Sequence, residues 1–222
     1  MKQVAEDVSL LKGRIPIPYA INTYLVGDVL VDAGGRIDAA VILKELRGRP
    51  LSAHAITHAH PDHQGASHKV CQEFDVPFWV PELDIPPAEN PDLIAERQPD
   101  HPIAQLMHKM FTGPGHKVDR ALKEGDEVAG FLVLDTPGHS AGHMSLWRES
   151  DRTLILGDVL NSQDPLLGIP GLRLPKDFFT PDPERNRRSA KRLGELEPLL
   201  VLFGHGPPVR DTRKFVDFCA KL

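Results

Sequence analysis

Short apolar, β-branched runs alternate along this chain with stretches in which apolar residues recur every three or four positions. That alternation predicts strands and helices in turn. Ile21–Val26 and Val29–Asp32 are two such runs, separated by the hairpin signal Gly27-Asp28. Gly34-Gly35 ends the second run, and Asp38 is placed to cap a helix through Arg47, with Ala40, Val41, Leu43 and Leu46 as apolar positions. A strand at Ser52–Thr57, a helix at Gln64–Phe74 and a strand at Pro77–Val80 follow. Prolines then break the rhythm from Pro81 to Arg120, where only Ile103–Phe111 keeps a helical period before Gly113-Pro114-Gly115 stops it. This stretch reads as an insertion or lid within one domain spanning residues 1–222. Strand character returns at Phe131–Thr136, His143–Arg148 and Thr153–Gly157. An irregular stretch, Leu160–Pro183, precedes a helix at Glu184–Leu196, a strand at Leu199–Phe203 and a last helix from about Asp211. Strands grouped in two halves, each followed by helices, predict two sheets packed face to face with helices outside. The pairing order within the sheets is not legible in the pattern.

Composition changes this picture little. At 222 residues and 41% hydrophobic content, the chain is long enough for one substantial core. The net charge of -5 and the spread of basic residues argue against nucleic acid as a partner; the Arg185–Arg192 cluster reads as the solvated face of a helix. Two cysteines, Cys71 and Cys219, have neither the number nor the spacing of a disulfide scaffold or C-x-x-C site. The first residues lack the apolar run of a signal peptide and no segment is long enough to span a membrane, so the cytoplasm is the expected location.

The candidate chemistry lies at the ends of the predicted strands. Thr57-His58-Ala59-His60-Pro61-Asp62-His63 places three imidazoles and a carboxylate within six positions, a donor set suited to zinc, iron or a similar divalent ion. His58 and His60 share a face of an extended segment, while Asp62 and His63 fall at the turn into the next helix. Three later strand ends carry Gly138-His139, Gly157-Asp158 and Gly204-His205-Gly206. Five histidines and two aspartates exceed the three or four ligands of one zinc and suit two ions with a shared carboxylate. Asp32 either hydrogen-bonds a ligand or caps the Gly34-Gly35 turn. His143 reads as a supporting residue rather than a ligand. His54 and His68 read as structural or surface residues, and His101, His108 and His116, in the insertion, as surface residues before substrate-facing ones. Met107, Met110 and Phe111 form an apolar helix face, read as core before cleft cover, and Phe178 and Phe179 are read the same way.

With Asn22-Thr23-Tyr24-Leu25-Val26 and Leu30-Val31-Asp32 ahead of them, these motifs run in order almost from end to end, and the chain resembles the metallo-β-lactamase fold superfamily, in its glyoxalase II-like group. That resemblance implies an α+β fold: a four-layer αββα sandwich of two mixed β-sheets flanked by helices. It assigns His58, His60 and His139 to a first metal, Asp62, His63 and His205 to a second, and Asp158 to a bridge. It implies two divalent ions, zinc foremost with iron or manganese as alternatives. The implied function is a hydrolase in which a metal-bridging hydroxide attacks an ester, thioester, lactone or related bond of a small organic substrate, with Asp62 orienting the nucleophile or passing its proton. A mononuclear iron oxygenase of the persulfide-dioxygenase type is the alternative on the same fold. Departures narrow the choice. Asp158 stands where the best-known β-lactamases carry cysteine. Val159-Leu160-Asn161 lacks the tyrosine typical of quorum-signal lactonases, and the chain ends soon after His205, without the helical substrate domain of glyoxalase II. Substrate specificity is expected to come from Ile15–Tyr19, Pro81–Arg120 and Leu160–Pro183. No motif speaks to oligomeric state.

Overall fold

The computed structural model describes residues 1–11, 13 and 17–222. Ile15 and Pro16 of the first predicted specificity segment therefore lie outside the described residues. Among the described residues, one mixed sheet has seven strands in sequence order: β1 (Lys2–Ala5), β2 (Val8–Leu10), β3 (Tyr24–Val26), β4 (Val29–Val31), β5 (Ala53–Ala55), β6 (Phe78–Pro81) and β7 (Arg120–Leu122). The first four pair antiparallel and the last four parallel. The second sheet contains β8 (Glu127–Val128), β9 (Phe131–Asp135), β10 (Met144–Arg148), β11 (Thr153–Ile155) and β14 (Leu200–Leu202), with only β11 and β14 parallel. A separate hairpin pairs β12 (Asn161–Gln163) with β13 (Pro170–Arg173).

The layering follows from which way alternate side chains point. Tyr24, Val26, Val29 and Val31 of the first sheet pack with Phe131, Val133, Leu146 and Ile155 of the second in one central cluster. Between them, Leu25 and Leu30 face outward onto Ile42 and Leu46 of α1 (Ala39–Leu46) and Val70 of α3 (Ser67–Phe74). On the far side, Leu134, Trp147, Leu154 and Val201 cover Ala190 and Leu193 of α7 (Pro183–Glu195) and Phe215 of α8 (Arg213–Ala220). Three apolar interfaces make four layers, helix–sheet–sheet–helix, as expected. Because the strands are buried on both faces, they read in sequence as continuous apolar runs rather than alternating ones.

Four segments differ from the sequence reading. Residues 81–120 are largely helical: after a 3-10 turn at Glu82–Asp84 come α4 (Ile85–Glu89), α5 (Asp92–Arg97) and α6 (Pro102–Phe111). Prolines read as breakers there sit in the first turns of α4 and α6, where the missing N–H costs nothing. The stretch 160–183 holds the β12–β13 hairpin and a 3-10 turn at Asp177–Phe179. The helix expected at Gln64–Phe74 is two helices, α2 (Pro61–Gln64) and α3, broken at Gly65-Ala66. The N-terminal hairpin β1–β2 had no turn signal strong enough to predict it.

Candidate metal centre

The strand ends of both sheets converge at one edge of the sandwich. His58 and His60 follow β5, Asp62 and His63 lie on α2, His139 follows β9, Asp158 follows β11 and His205 follows β14. The donor atoms of His58, His60 and His139 lie within 4.8 Å of one another, as do those of Asp62, His63 and His205, and those of His58, His63 and Asp158. Asp158 sits between the groups. Its carboxylate lies 3.5 Å from His139 Nε2, 3.5 Å from His63 Nε2 and 2.9 Å from His205 Nε2. All seven predicted residues are brought together. Six are buried, and Asp62, at 25% side-chain exposure, faces the cleft.

Four of the five imidazoles are aimed from behind. His63 donates from Nδ1 to Asp32 at 2.9 Å, and His205 donates from Nδ1 to the Ala20 carbonyl. The Thr57 hydroxyl gives its proton to Asp32 and accepts from His58 Nδ1 at 3.0 Å. The Thr180 hydroxyl gives its proton to the Lys176 carbonyl and accepts from His139 Nδ1 at 3.1 Å. Four rings thus carry their protons outward and turn Nε2 inward, the arrangement that makes a histidine a metal ligand. His58 Nε2, His63 Nε2 and Asp158 Oδ1 are buried without a hydrogen-bond partner. Protein interiors rarely leave such atoms unpaired, and inward-facing imidazole nitrogens around a carboxylate suit a divalent cation. On these observations the residues present fit a metal pair.

The electrostatics agree. Burial and the surrounding imidazoles push His58 and His139 well below the usual histidine range. Burial alone would also lower His63 and His205, but Asp158 outweighs it with help from neighbouring carboxylates, and His205 is carried up to about 10. Burial would raise Asp62 and Asp158, yet the His63 and His205 rings hold both below the carboxylate range.

The two residues left open are resolved. Asp32 does not cap the glycine turn; Asp38 takes the Gly35 N–H at 3.0 Å. Asp32 instead holds Thr57 through N–H and hydroxyl, and His63 through Nδ1, so one carboxylate orients a ring in each donor group. Asp32→Ala is expected to lower metal affinity by about 10–100-fold while the protein stays folded; competition with a chromophoric chelator measures it. His143 is committed on both nitrogens: Nε2 accepts the Asp158 N–H at 2.9 Å and Nδ1 meets Thr136 Oγ1 at 2.9 Å. Burial lowers it to about 3.

Sequence reasoning missed Asp84. Its buried carboxylate accepts from Ala59 N–H, Ser140 Oγ and Gly142 N–H at 2.6–2.9 Å, tying the His58–His63 segment to the His139 loop. Nothing in the sequence near Asp84 signals partners 25 to 58 positions away. Asn22 was noted as part of a motif without a role; its amide donates to Phe203 and Gly206 carbonyls at 2.8 Å, and Tyr24 OH also reaches Phe203, together fixing the loop of His205. Gly204 is needed for space: a Cβ there would lie 2.0 Å from Asp158 Oδ1. His54, bonded to the Leu30 carbonyl and Ser67 Oγ, is structural as expected. His101, expected at the surface, caps α6 and stacks on Phe178 with centroids 4.0 Å apart. His108, Met107, Phe111 and Phe179 line the cleft above the cluster, whereas Met110 is exposed.

Two mixed sheets face to face, with a histidine–aspartate cluster at the edge where their strands end, define a metal-binding αββα protein. The chain belongs to the metallo-β-lactamase superfamily, whose description matches residues 16–205. The Bacillus subtilis protein YflN, described as a probable metallo-hydrolase, is 32% identical over 200 residues, 82% of this chain and 76% of the relative. A hydroxyacylglutathione hydrolase of Bdellovibrio bacteriovorus is 29% identical over 79% of this chain, which spans 56% of that protein. Among solved structures, TTHA1623 in a di-iron-bound form aligns with a TM-score of 0.68 and 31% identity, covering 92% of this chain and 97% of that one. No helix among the described residues is long and apolar enough to cross a membrane.

Proposed function

We propose that the protein is a two-metal hydrolase of a small organic ester, thioester or lactone. His58, His60 and His139 would hold the first ion, Asp62, His63 and His205 the second, and Asp158 would be the ligand shared between them. The observation that carries this reading is the position of Asp158, within 3.5 Å of imidazoles from both donor groups. Bound divalent ions supply a Lewis acid for the substrate carbonyl and make water acidic enough to react near neutral pH. The chain does the rest. Asp62, held ionised and a quarter exposed to the cleft, is placed to orient the attacking water and accept its proton. The walls of the cleft, with Met107, Phe111, Leu166 and Phe179 among them, are mainly apolar, and a substrate seated against them would displace water and strengthen the charge interactions beneath it.

A one-iron oxygenase would leave Asp62, His63 and His205 without work, so the hydrolase is preferred. Zinc and iron both suit the donors, and a structural neighbour is named for its di-iron form. Elemental analysis of the purified protein is expected to give close to two divalent ions per chain, with hydrolysis in a panel of esters, lactones and thioesters that includes a hydroxyacylglutathione. One iron per chain and oxygen uptake with persulfides would overturn this reading.

A further inference from the structure

We propose that His108, on α6, is a substrate-contacting residue of the cleft. It would hydrogen-bond a hydroxyl or amide group that the substrate carries beyond its scissile carbonyl. The proposal rests on the hydrolase reading above. Ala104, Met107, His108 and Phe111, spaced as one face of a helix, line the same cavity as His60, Asp62, His139, Asp158 and His205. The other three side chains of this face are apolar; His108 alone brings hydrogen-bonding capacity to it. Its Nδ1 is buried and takes no hydrogen-bond partner from the described residues. Packing asks nothing of that nitrogen, and a buried polar atom without a partner calls for one.

The ring is also held in a fixed place relative to the metal-binding residues. At its start, α6 is capped by His101, whose Nδ1 accepts the Ile103 N–H at 3.2 Å and whose ring stacks on Phe178. At its end, the Phe111 carbonyl accepts the Arg36 N–H at 2.8 Å. There the chain packs backbone to backbone against the α2–α3 junction: a Cβ on Gly65 would lie 2.3 Å from the Phe111 carbonyl oxygen, and one on Gly113 would lie 1.9 Å from that of Gly65. α2 carries Asp62 and His63. The end of α6 is therefore seated directly on the helix that supplies two of the candidate ligands, and His108 stands one turn back from that seat. Burial lowers the basicity of His108, with Asp92 opposing, so the ring favours its neutral form, which offers one donor and one acceptor. On the α6 side of the cleft the substrate implied is mainly apolar with a hydroxyl or amide opposite His108; Gln98, Asn161 and Lys176 supply polar groups elsewhere in the lining.

The test uses the metal-loaded protein, His108→Phe, which keeps the ring volume, and His108→Gln, which keeps a hydrogen-bonding head. Acyl esters are compared in pairs, with and without a hydroxyl or amide on the acyl chain. In His108→Phe the preference for the substituted ester, as a ratio of kcat/KM, is expected to fall roughly tenfold, the worth of one neutral hydrogen bond. The loss should lie in KM, and His108→Gln should recover part of it. Binding of alkyl hydroxamates with and without a chain hydroxyl, measured by calorimetry, gives a readout that needs no turnover; only the hydroxylated series should weaken in His108→Phe. Equal effects on both members of each pair, no effect on either, or loss of bound metal in the variant would overturn the proposal. If the wild type hydrolyses no ester, the hydrolase reading fails, while the hydroxamate pairs still decide the role of His108.

Discussion

Asp158→Ala is expected to reduce hydrolysis on the order of a thousandfold or more and to drop the metal content from about two ions per chain to one or none. Among the described residues, Asp158 lies within 3.5 Å of imidazoles of both donor groups, His139 in one and His63 and His205 in the other, while the close contacts of Asp62 are to His63 and His205. If Asp158 is shared between two ions as proposed, its removal costs each ion a ligand and both the charge that offsets their repulsion. The backbone consequence is small. The Asp158 N–H still meets His143 Nε2, and Gly204 N–H still meets the Gly157 carbonyl, so the loop keeps its shape. Elemental analysis beside a thermal melt separates the cases. A variant that holds two ions and keeps activity within tenfold of wild type would sink the bridging assignment.

The second large effect is a pH dependence that changes shape with metal. In the metal-free protein, His63 and His205 are raised, the latter to about 10, so both hold protons at neutral pH against Asp158, Asp62 and Asp32. Those protons must leave when metal enters, so loading at pH 7.5 should release about two protons per chain. Unbuffered titration or calorimetry in buffers of different ionisation enthalpy counts them. The linkage signs then fix the stability profile. A histidine raised on folding contributes stability that is complete below its unfolded value of about 6.5 and is lost as pH climbs through its folded value. For His205 that loss spans the range from about 6.5 to about 10, and for His63, raised in the same direction, it sets in above about 6.5. His54, lowered to about 4, and His143, lowered to about 3, have the opposite sign: the unfolded chain takes up their protons first, so stability falls as pH drops below about 6.5. His58, His60 and His139 act in the same direction. Metal-free protein is therefore expected to be most stable near pH 6–7, with each proton worth about 1.4 kcal/mol per pH unit on either limb. Metal-loaded protein should lose the alkaline limb, because the ions replace the protons on His63 and His205. Melting temperatures between pH 5 and 9, with and without a chelator, measure this. A chelated protein whose stability rises steadily from pH 7 to 9 would show that His63 and His205 are not protonated there.

The candidate ligands were legible because their signal is local. His58, His60, Asp62 and His63 lie within six positions, and His139, Asp158 and His205 each stand next to glycine at the end of an apolar run. Spacing of this kind is set by the backbone before any tertiary contact forms, and so were the β3–β4 hairpin and the helical periods of α1 and α7. Tertiary structure decided what depends on residues distant in sequence. Asp84 is an ordinary acid in a proline-rich stretch until folding brings it to Ala59, Ser140 and Gly142. Asp32 could serve a turn or a histidine, and only the meeting of β4 with the segment after β5 gives it to His63 and Thr57. His108 read as surface before substrate-facing because its helix has apolar side chains on more than one side: Ile103, Leu106 and Met110 point to solvent while Met107 and Phe111 line the cleft. Which face turns inward was settled by the close seating of Phe111 against Gly65, a contact between segments that no periodicity encodes. Ligand identity was thus written in short-range spacing, whereas ligand orientation, the bridge between the donor groups and the wall above them arise from packing across the chain.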